Sequence, residues 1–180
     1  MRILKENTVG LIIDIQEKLF PVMHEKEKFL ETTKTLIEGL QLLEIPLILT
    51  QQYTKGLGET VSEIKSLFSP FEPIEKRAFS CCDKPELVDK LSELKAKNII
   101  ICGIESHVCV LQTAIDLKDT GLNPIIVMDC VSSRKPESID LSKERFRFEE
   151  IMMTSMESIL FELTRSSSST EFKTISKLVK

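Results

Sequence analysis

The sequence predicts an α/β fold of the doubly wound kind, three layers deep, with a parallel sheet between two layers of helices. Two observations lead there. Several short runs rich in Ile and Val are mostly continuously apolar rather than alternating, as strands buried on both faces require. Segments of helical period lie between them. Strand and helix therefore alternate along the chain, and right-handed crossovers bring successive strands into one sheet.

The first strand is "TVGLIIDI" (8–15). "KEKFLETTKTLIEGLQLLE" (26–44) is a helix that sets Phe29, Leu30, Thr33, Leu36, Ile37 and Leu40 on one face. "IPLILT" (45–50) is the second strand, and a short strand is expected at 72–76. "PELVDKLSELKAK" (85–97) opens on Pro85, whose fixed φ and missing N–H suit a first helical turn. "NIIICGI" (98–104) reads as a strand. "SHVCVLQTAIDLKDTG" (106–121) reads as a helix closed by Gly121, a good C-cap. "NPIIVMD" (123–129) and "EIMMTS" (150–155) are strands, while "DLSKERFRFEE" (140–150) and "SMESILFELTR" (155–165) are weaker helices. From about residue 166 the tail changes character. "RSSSST" is a local loop, and "EFKTISKLVK" is a short amphipathic helix that docks on the body or on a neighbouring subunit. No repeat or long linker divides the chain, so residues 1–180 read as one domain, long enough to bury a core.

Net charge is −4, with both signs spread along the chain. Without a basic stripe, no nucleic-acid partner is expected. No apolar run approaches the ~20 residues that span a bilayer, so no membrane partner is expected either. "MRILKENTVG" is too short and polar for a secretory signal, which suggests a cytoplasmic protein. The five cysteines form no CxxC pair, and His24 and His107 are the only histidines. Neither a disulfide framework nor a zinc site fits that spacing. Reduced thiols, mostly small core residues, fit better.

Ligands of open α/β sheets bind beyond the carboxyl ends of the strands. That rule selects Asp14, residues 50–53, residues 103–109 and residues 129–134. Asp14 interrupts an apolar strand, where a carboxylate is costly to bury unless paired. It is either a base in a cleft or an aspartate capping the strand end. Cys109 falls in the first turn of a helix starting near Ser106. Amides and the helix dipole there favour a thiolate and suit an oxyanion, though a packed helix cysteine reads the same. Lys76 lies in "PIEKRAFSCC", near the end of the short strand expected at 72–76. Alone it would be solvated, but beside a carboxylate and a thiol it would hold both charges. Phe20 and Tyr53 are candidates to line the cleft, and Gln16 to orient substrate or Asp14. Ordinary loop packing is the alternative for each. His107 reads as an exposed helix-start residue, Cys81 and Cys82 as structural, and Arg134 as a loop residue that closes the site or pairs with Asp129.

Together "LIIDIQEKLF", "LTQQYTKGLGET", "EKRAFSCC", "ICGIESHVCVLQTAIDLKDTG" and "VMDCVSSRKPES" resemble the isochorismatase-like hydrolase superfamily, which includes nicotinamidases and related cysteine amidohydrolases. The wording is most similar to the isochorismatase domain-containing protein subgroup. The resemblance runs from about residue 9 to about residue 163. It implies a six-stranded parallel sheet and a triad of Asp14, Lys76 and Cys109. It also implies a non-proline cis peptide at Ile104–Glu105, with the amides of Glu105 and Cys109 forming an oxyanion hole. The implied activity is hydrolysis of a small, amide-like C–N bond through a thioester. The implied partners are a small-molecule substrate and further copies of the chain, as a dimer or higher oligomer.

The sequence departs from nicotinamidases after the second strand. Gln52 stands where those enzymes carry a metal-binding aspartate, and Thr54 where they carry a histidine, so no metal and no other cofactor is expected. It departs from isochorismatases proper by having Cys109, which disfavours their vinyl-ether chemistry. Two other classes stay open: a catalytically silent scaffold that works by association, and a redox-sensitive thiol protein built on Cys109.

Overall fold

The computed structural model describes residues 2–180. Six strands form one all-parallel sheet: β1 (Thr8–Ile13), β2 (Leu47–Gln52), β3 (Ile74–Lys76), β4 (Asn98–Ile104), β5 (Asn123–Ser132) and β6 (Met152–Thr154). Their spatial order is β3-β2-β1-β4-β5-β6. The order reverses direction between β1 and β4, and the carboxyl ends of that pair form the crevice where such sheets hold ligands.

The apolar strands are buried on both sides, as their composition demands. Along β1, Val9, Leu11 and Ile13 join one core cluster and Ile12 joins the other. β4 alternates the same way, with Ile99 and Ile101 on one side and Ile100, Cys102 and Ile104 on the other. The first layer of helices is α1 (Lys26–Leu42), α7 (Met156–Thr164) and α8 (Phe172–Leu178), which bury Leu36, Ile37, Leu160, Leu163 and Ile175 together. The opposite layer is α4 (Pro85–Glu93), α5 (Leu111–Asp119) and α6 (Pro136–Phe148), which bury Leu87, Leu91, Ala114, Leu117 and Phe146. Each of these Leu, Ile and Phe side chains stabilises the fold by roughly 1.5–3 kcal/mol before the entropy of ordering is set against it. The tail helix α8 docks on the body through Ile175 and is fastened by a Lys5–Glu171 ion pair of 2.7 Å. Among the described residues no helix is long and apolar enough to cross a membrane.

Several boundaries differ from the sequence reading. The expected helix over 106–121 is divided: Ser106–Val110 is a π-helical turn, and α-helical geometry begins only at Leu111. β5 runs on past Asp129 to Ser132, because the register slips between Ile101 and Gly103 and lets the strand continue beside the end of β4. α6 starts at Pro136, ahead of the expected 140, with the proline at its first position. Two one-turn helices that the sequence reading missed, α2 (Thr54–Leu57) and α3 (Ser62–Lys65), lie between β2 and β3.

Two glycines with positive φ give contrasting expectations. Gly103 has φ +126°, and a Cβ there would sit 2.1 Å from the Ile13 carbonyl oxygen, on the backbone of the neighbouring strand. Gly121 has φ +82°, and a Cβ there would meet nothing within 4 Å. Gly121→Ala should cost about 1 kcal/mol in urea unfolding. Gly103→Ala should cost several times more, or prevent accumulation of folded protein.

Candidate active site

Asp14 follows β1 directly and is wholly buried, with φ +52°. An aspartate tolerates this left-handed conformation better than a branched residue would. It turns the side chain across the end of the sheet. Thr50 Oγ1, on β2, donates to Asp14 Oδ1 at 2.8 Å. Lys76 Nζ, on the edge strand β3, donates to Asp14 Oδ2 at 2.5 Å. The ion pair is out of water, with side-chain exposures of 1% for Lys76 and 0% for Asp14.

The ammonium has further acceptors. Gln52 Oε1 accepts from it at 2.8 Å, the Phe79 carbonyl at 3.1 Å and the Ala78 carbonyl at 3.2 Å. Three N–H bonds are thus fully engaged inside the protein, and Lys76 can act on a substrate only through its field. Burial works against its charge. The Asp14 carboxylate, followed by the Cys81 and Cys109 thiols, outweighs burial and holds the lysine above its ordinary value.

Cys109 lies in the π-helical turn after β4 and is 7% exposed. Its Sγ is 3.7 Å from Gln52 Oε1. Burial pushes the thiol up, and the Asp14 charge pushes it further, against the pull of Lys76. This corrects the expectation of a thiolate favoured by a helix dipole. The turn is not yet α-helical at Cys109, and the nearest full charge that raises the thiol is the carboxylate. The Ile104–Glu105 peptide that precedes the turn is cis. Among the described residues, the Glu105 N–H donates to no backbone carbonyl.

The remaining sequence candidates divide. Gln16 is fully buried. Its Nε2 donates to the Gln52 carbonyl at 3.0 Å and the Gly58 carbonyl at 2.7 Å, and its Oε1 accepts from the Gln52 N–H at 2.7 Å. Both amide hydrogens are spent on backbone, so Gln16 positions the end of β2. Tyr53 directly follows β2 and is 37% exposed, with the Arg77 guanidinium 3.8 Å over its ring. Phe20 lies in a 3-10 turn with its ring 6.4 Å from that of Phe29, packed on the α1 side of the core. Glu105 is capped by Arg134, whose N–H and Nε donate to its Oε2 at 2.9 and 3.1 Å. Arg134 is therefore not paired with Asp129, which instead accepts from the Met156 N–H at 2.8 Å and caps α7.

Sequence reasoning gave no catalytic role to three groups, although the strand-end rule had selected the segments that hold Thr50 and Ser133. Thr50 holds the carboxylate. Cys81 is a second buried thiol of the site, 3.9 Å from Thr50 Oγ1, pushed up to about 12 by burial and then by Asp14. Ser133 Oγ accepts from the Ser106 N–H at 3.1 Å and lies 2.7 Å from Ser106 Oγ and 2.9 Å from His107 Nδ1, pinning the turn that carries Cys109. No pattern around these serines, threonine and cysteine sets them apart in sequence. The residues after β2 do not suit a metal. Gln52 Oε1 already faces an ammonium, and among the described residues no three of His, Cys, Asp and Glu cluster as ligands.

A sequence model of the isochorismatase domain matches residues 8–157. The chain belongs to the isochorismatase family. It is 35% identical over 184 residues to the secreted isochorismatase effector Isc1 of Phytophthora sojae, covering 99% of this chain and 87% of that protein. It is 32% identical over 180 residues to isochorismatase domain-containing protein 2A of Mus musculus, covering 99% and 85%. Among solved structures, the MAR1 ribonuclease of Caenorhabditis elegans superposes with a TM-score of 0.93 at 36% identity, covering 99% of this chain and 92% of that one. The six-stranded parallel sheet with helices on both sides is the fold of this family, and the chain is an isochorismatase-like hydrolase by kinship.

Removing one partner of a buried pair leaves the other charge unpaired. Lys76→Met should therefore destabilise the protein by about 3–5 kcal/mol in denaturant unfolding. The sign of the pH effect follows from the raised lysine. Its contribution is fully present below the ordinary value of 10.5 and is lost as pH rises through the higher folded value. Part of the alkaline loss of stability expected of wild type should be absent from Lys76→Met, as urea unfolding followed against pH would show.

Proposed function

We propose that the chain is a metal-independent cysteine hydrolase that cleaves a small amide-like C–N bond through a thioester. The observation that carries this is the buried Asp14–Lys76 pair gathered at one strand-end crevice with the Cys109 thiol. In this reading Asp14 takes the S–H proton as Cys109 Sγ attacks the carbonyl carbon. The N–H groups of Glu105 and Cys109 receive the oxyanion. The C–N bond then breaks, and the proton held by Asp14 leaves with the amine. Water enters and gives a proton to Asp14, and its oxygen attacks the thioester. The C–S bond breaks, and the thiol recovers its proton as the carboxylic acid departs. Because the resting thiol is pushed up, the nucleophile forms only as its proton moves. Lys76 offsets the negative charge carried in turn by oxygen and sulfur.

The ribonuclease name of the Caenorhabditis relative favours a second reading, hydrolysis of an RNA phosphodiester. The thiol-plus-carboxylate set suits a trigonal carbonyl better. The Lys76 hydrogens, which would have to reach the phosphate, are all engaged within the protein.

The test is release of ammonia or amine from a panel of small amides, run beside an RNA cleavage assay. Cys109→Ser and Asp14→Asn should each lose at least ~10³-fold of amide turnover while remaining folded. An acyl adduct on Cys109 should appear by intact mass under rapid quench. RNA cleavage that depends on Cys109, without amide turnover, would move the second reading ahead.

A further inference from the structure

Gln52 takes no step in the hydrolysis above, yet its side chain lies between two groups that do. Its orientation is chemically determined. The Lys76 ammonium has only hydrogens to give, so the atom facing it at 2.8 Å is the amide oxygen. The Nε2 on the other side donates to the Arg77 carbonyl at 3.1 Å. The backbone is held too, since Gln16 meets both the N–H and the carbonyl of Gln52. A side chain fastened at both ends presents one oxygen to Lys76 and, 3.7 Å away, to Cys109 Sγ.

That oxygen treats the two forms of cysteine differently. It can accept from an S–H, but a thiolate would face it as one negative centre faces another. Other charged and titratable groups complete the setting. Asp14 and Lys76 lie against the thiol, and Cys81 stands beside them. On the turn itself, Glu105 is satisfied by Arg134 and His107 is bonded to Ser133. α6 meets this turn through the neutral Ser142.

We propose that Gln52 is a positioning residue whose amide oxygen keeps Cys109 a neutral thiol in the resting site and steers the Lys76 ammonium onto Asp14. The inference rests on the reading of Cys109 as nucleophile. For attack, the S–H turns from Gln52 toward Asp14. The proton passes to the carboxylate, and the sulfur electron pair goes to the substrate carbon. Gln52 then retains Lys76 where it faces the carboxylate.

Two variants of similar length test this. Gln52→Glu puts a carboxylate against the thiol, and Gln52→Met removes the acceptor. The rate of Cys109 alkylation by iodoacetamide is followed against pH, with the modified peptide measured by mass. The profile should move up by about one pH unit in Gln52→Glu and down in Gln52→Met. A merely structural role would move both the same way or neither, and either result overturns the proposal. Thermal melts confirm that each variant is folded. Gln52→Asn, too short to reach the thiol, should follow Gln52→Met if the longer variants misfold, and an unshifted profile there overturns the proposal equally. The two readings fail separately. Amide hydrolysis that survives Cys109→Ser removes the nucleophile, whereas hydrolysis that needs Cys109 with unseparated profiles removes only the role of Gln52.

Discussion

An ammonium and a carboxylate meet 2.5 Å apart with no access to water, and the arrangement of the strand ends is organised around them. Desolvating both charges costs several kcal/mol per ion, and their attraction repays this only when the other hydrogen-bonding capacity is filled. Here it is filled. Thr50 takes the second oxygen of Asp14, and Gln52 with two backbone carbonyls takes the rest of Lys76. Strand order explains who supplies these groups. Asp14 follows β1 and Lys76 lies on β3, so the pair bridges over the end of β2, and Thr50 and Gln52 of β2 are the residues beneath it.

The thiol arrives from the other side of the crevice. β4 lies beside β1 in register, pairing Ile13 with Gly103, and only glycine allows the two backbones to approach so closely there. The π-helical turn that follows is tied to the end of β5 through Ser106 and Ser133, which β5 can reach only because it continues past its register slip. The irregular features of the fold thus gather at the place that carries Cys109, while the regular parts of the sheet do the packing.

All five thiols are pushed upward, chiefly by burial. Cys109 shares its Asp14 and Lys76 neighbours with Cys81, and differs in being 7% exposed where Cys81 is wholly buried and in its contact with Gln52 Oε1. The resemblance read from the sequence implies that Gln52 stands where nicotinamidases carry a metal-binding aspartate. In this chain its side chain accepts a hydrogen bond from Lys76.

Strand and helix identity were legible in the sequence because parallel strands covered on both faces must be apolar throughout, and the helices between them must carry one apolar stripe. The three residues proposed as a triad were legible as candidates as well, though by different routes. Asp14 stood out as a charge inside an apolar strand, while Lys76 and Cys109 gained meaning only from the motifs around them. What the sequence could not show was which neutral groups surround those three. Thr50, Gln52, Cys81 and Ser133 belong to residue types found anywhere, and each matters because of one hydrogen bond or contact made across the chain. The state of the thiol was undecidable for the same reason. A helix start argues for a thiolate from local geometry, but burial and the long-range approach of Asp14 outweigh it, and only tertiary structure sets that distance. Sequence fixes periodicity and local chemistry, while the field at a buried site is a sum over groups far apart in the chain, so its sign waits for the fold.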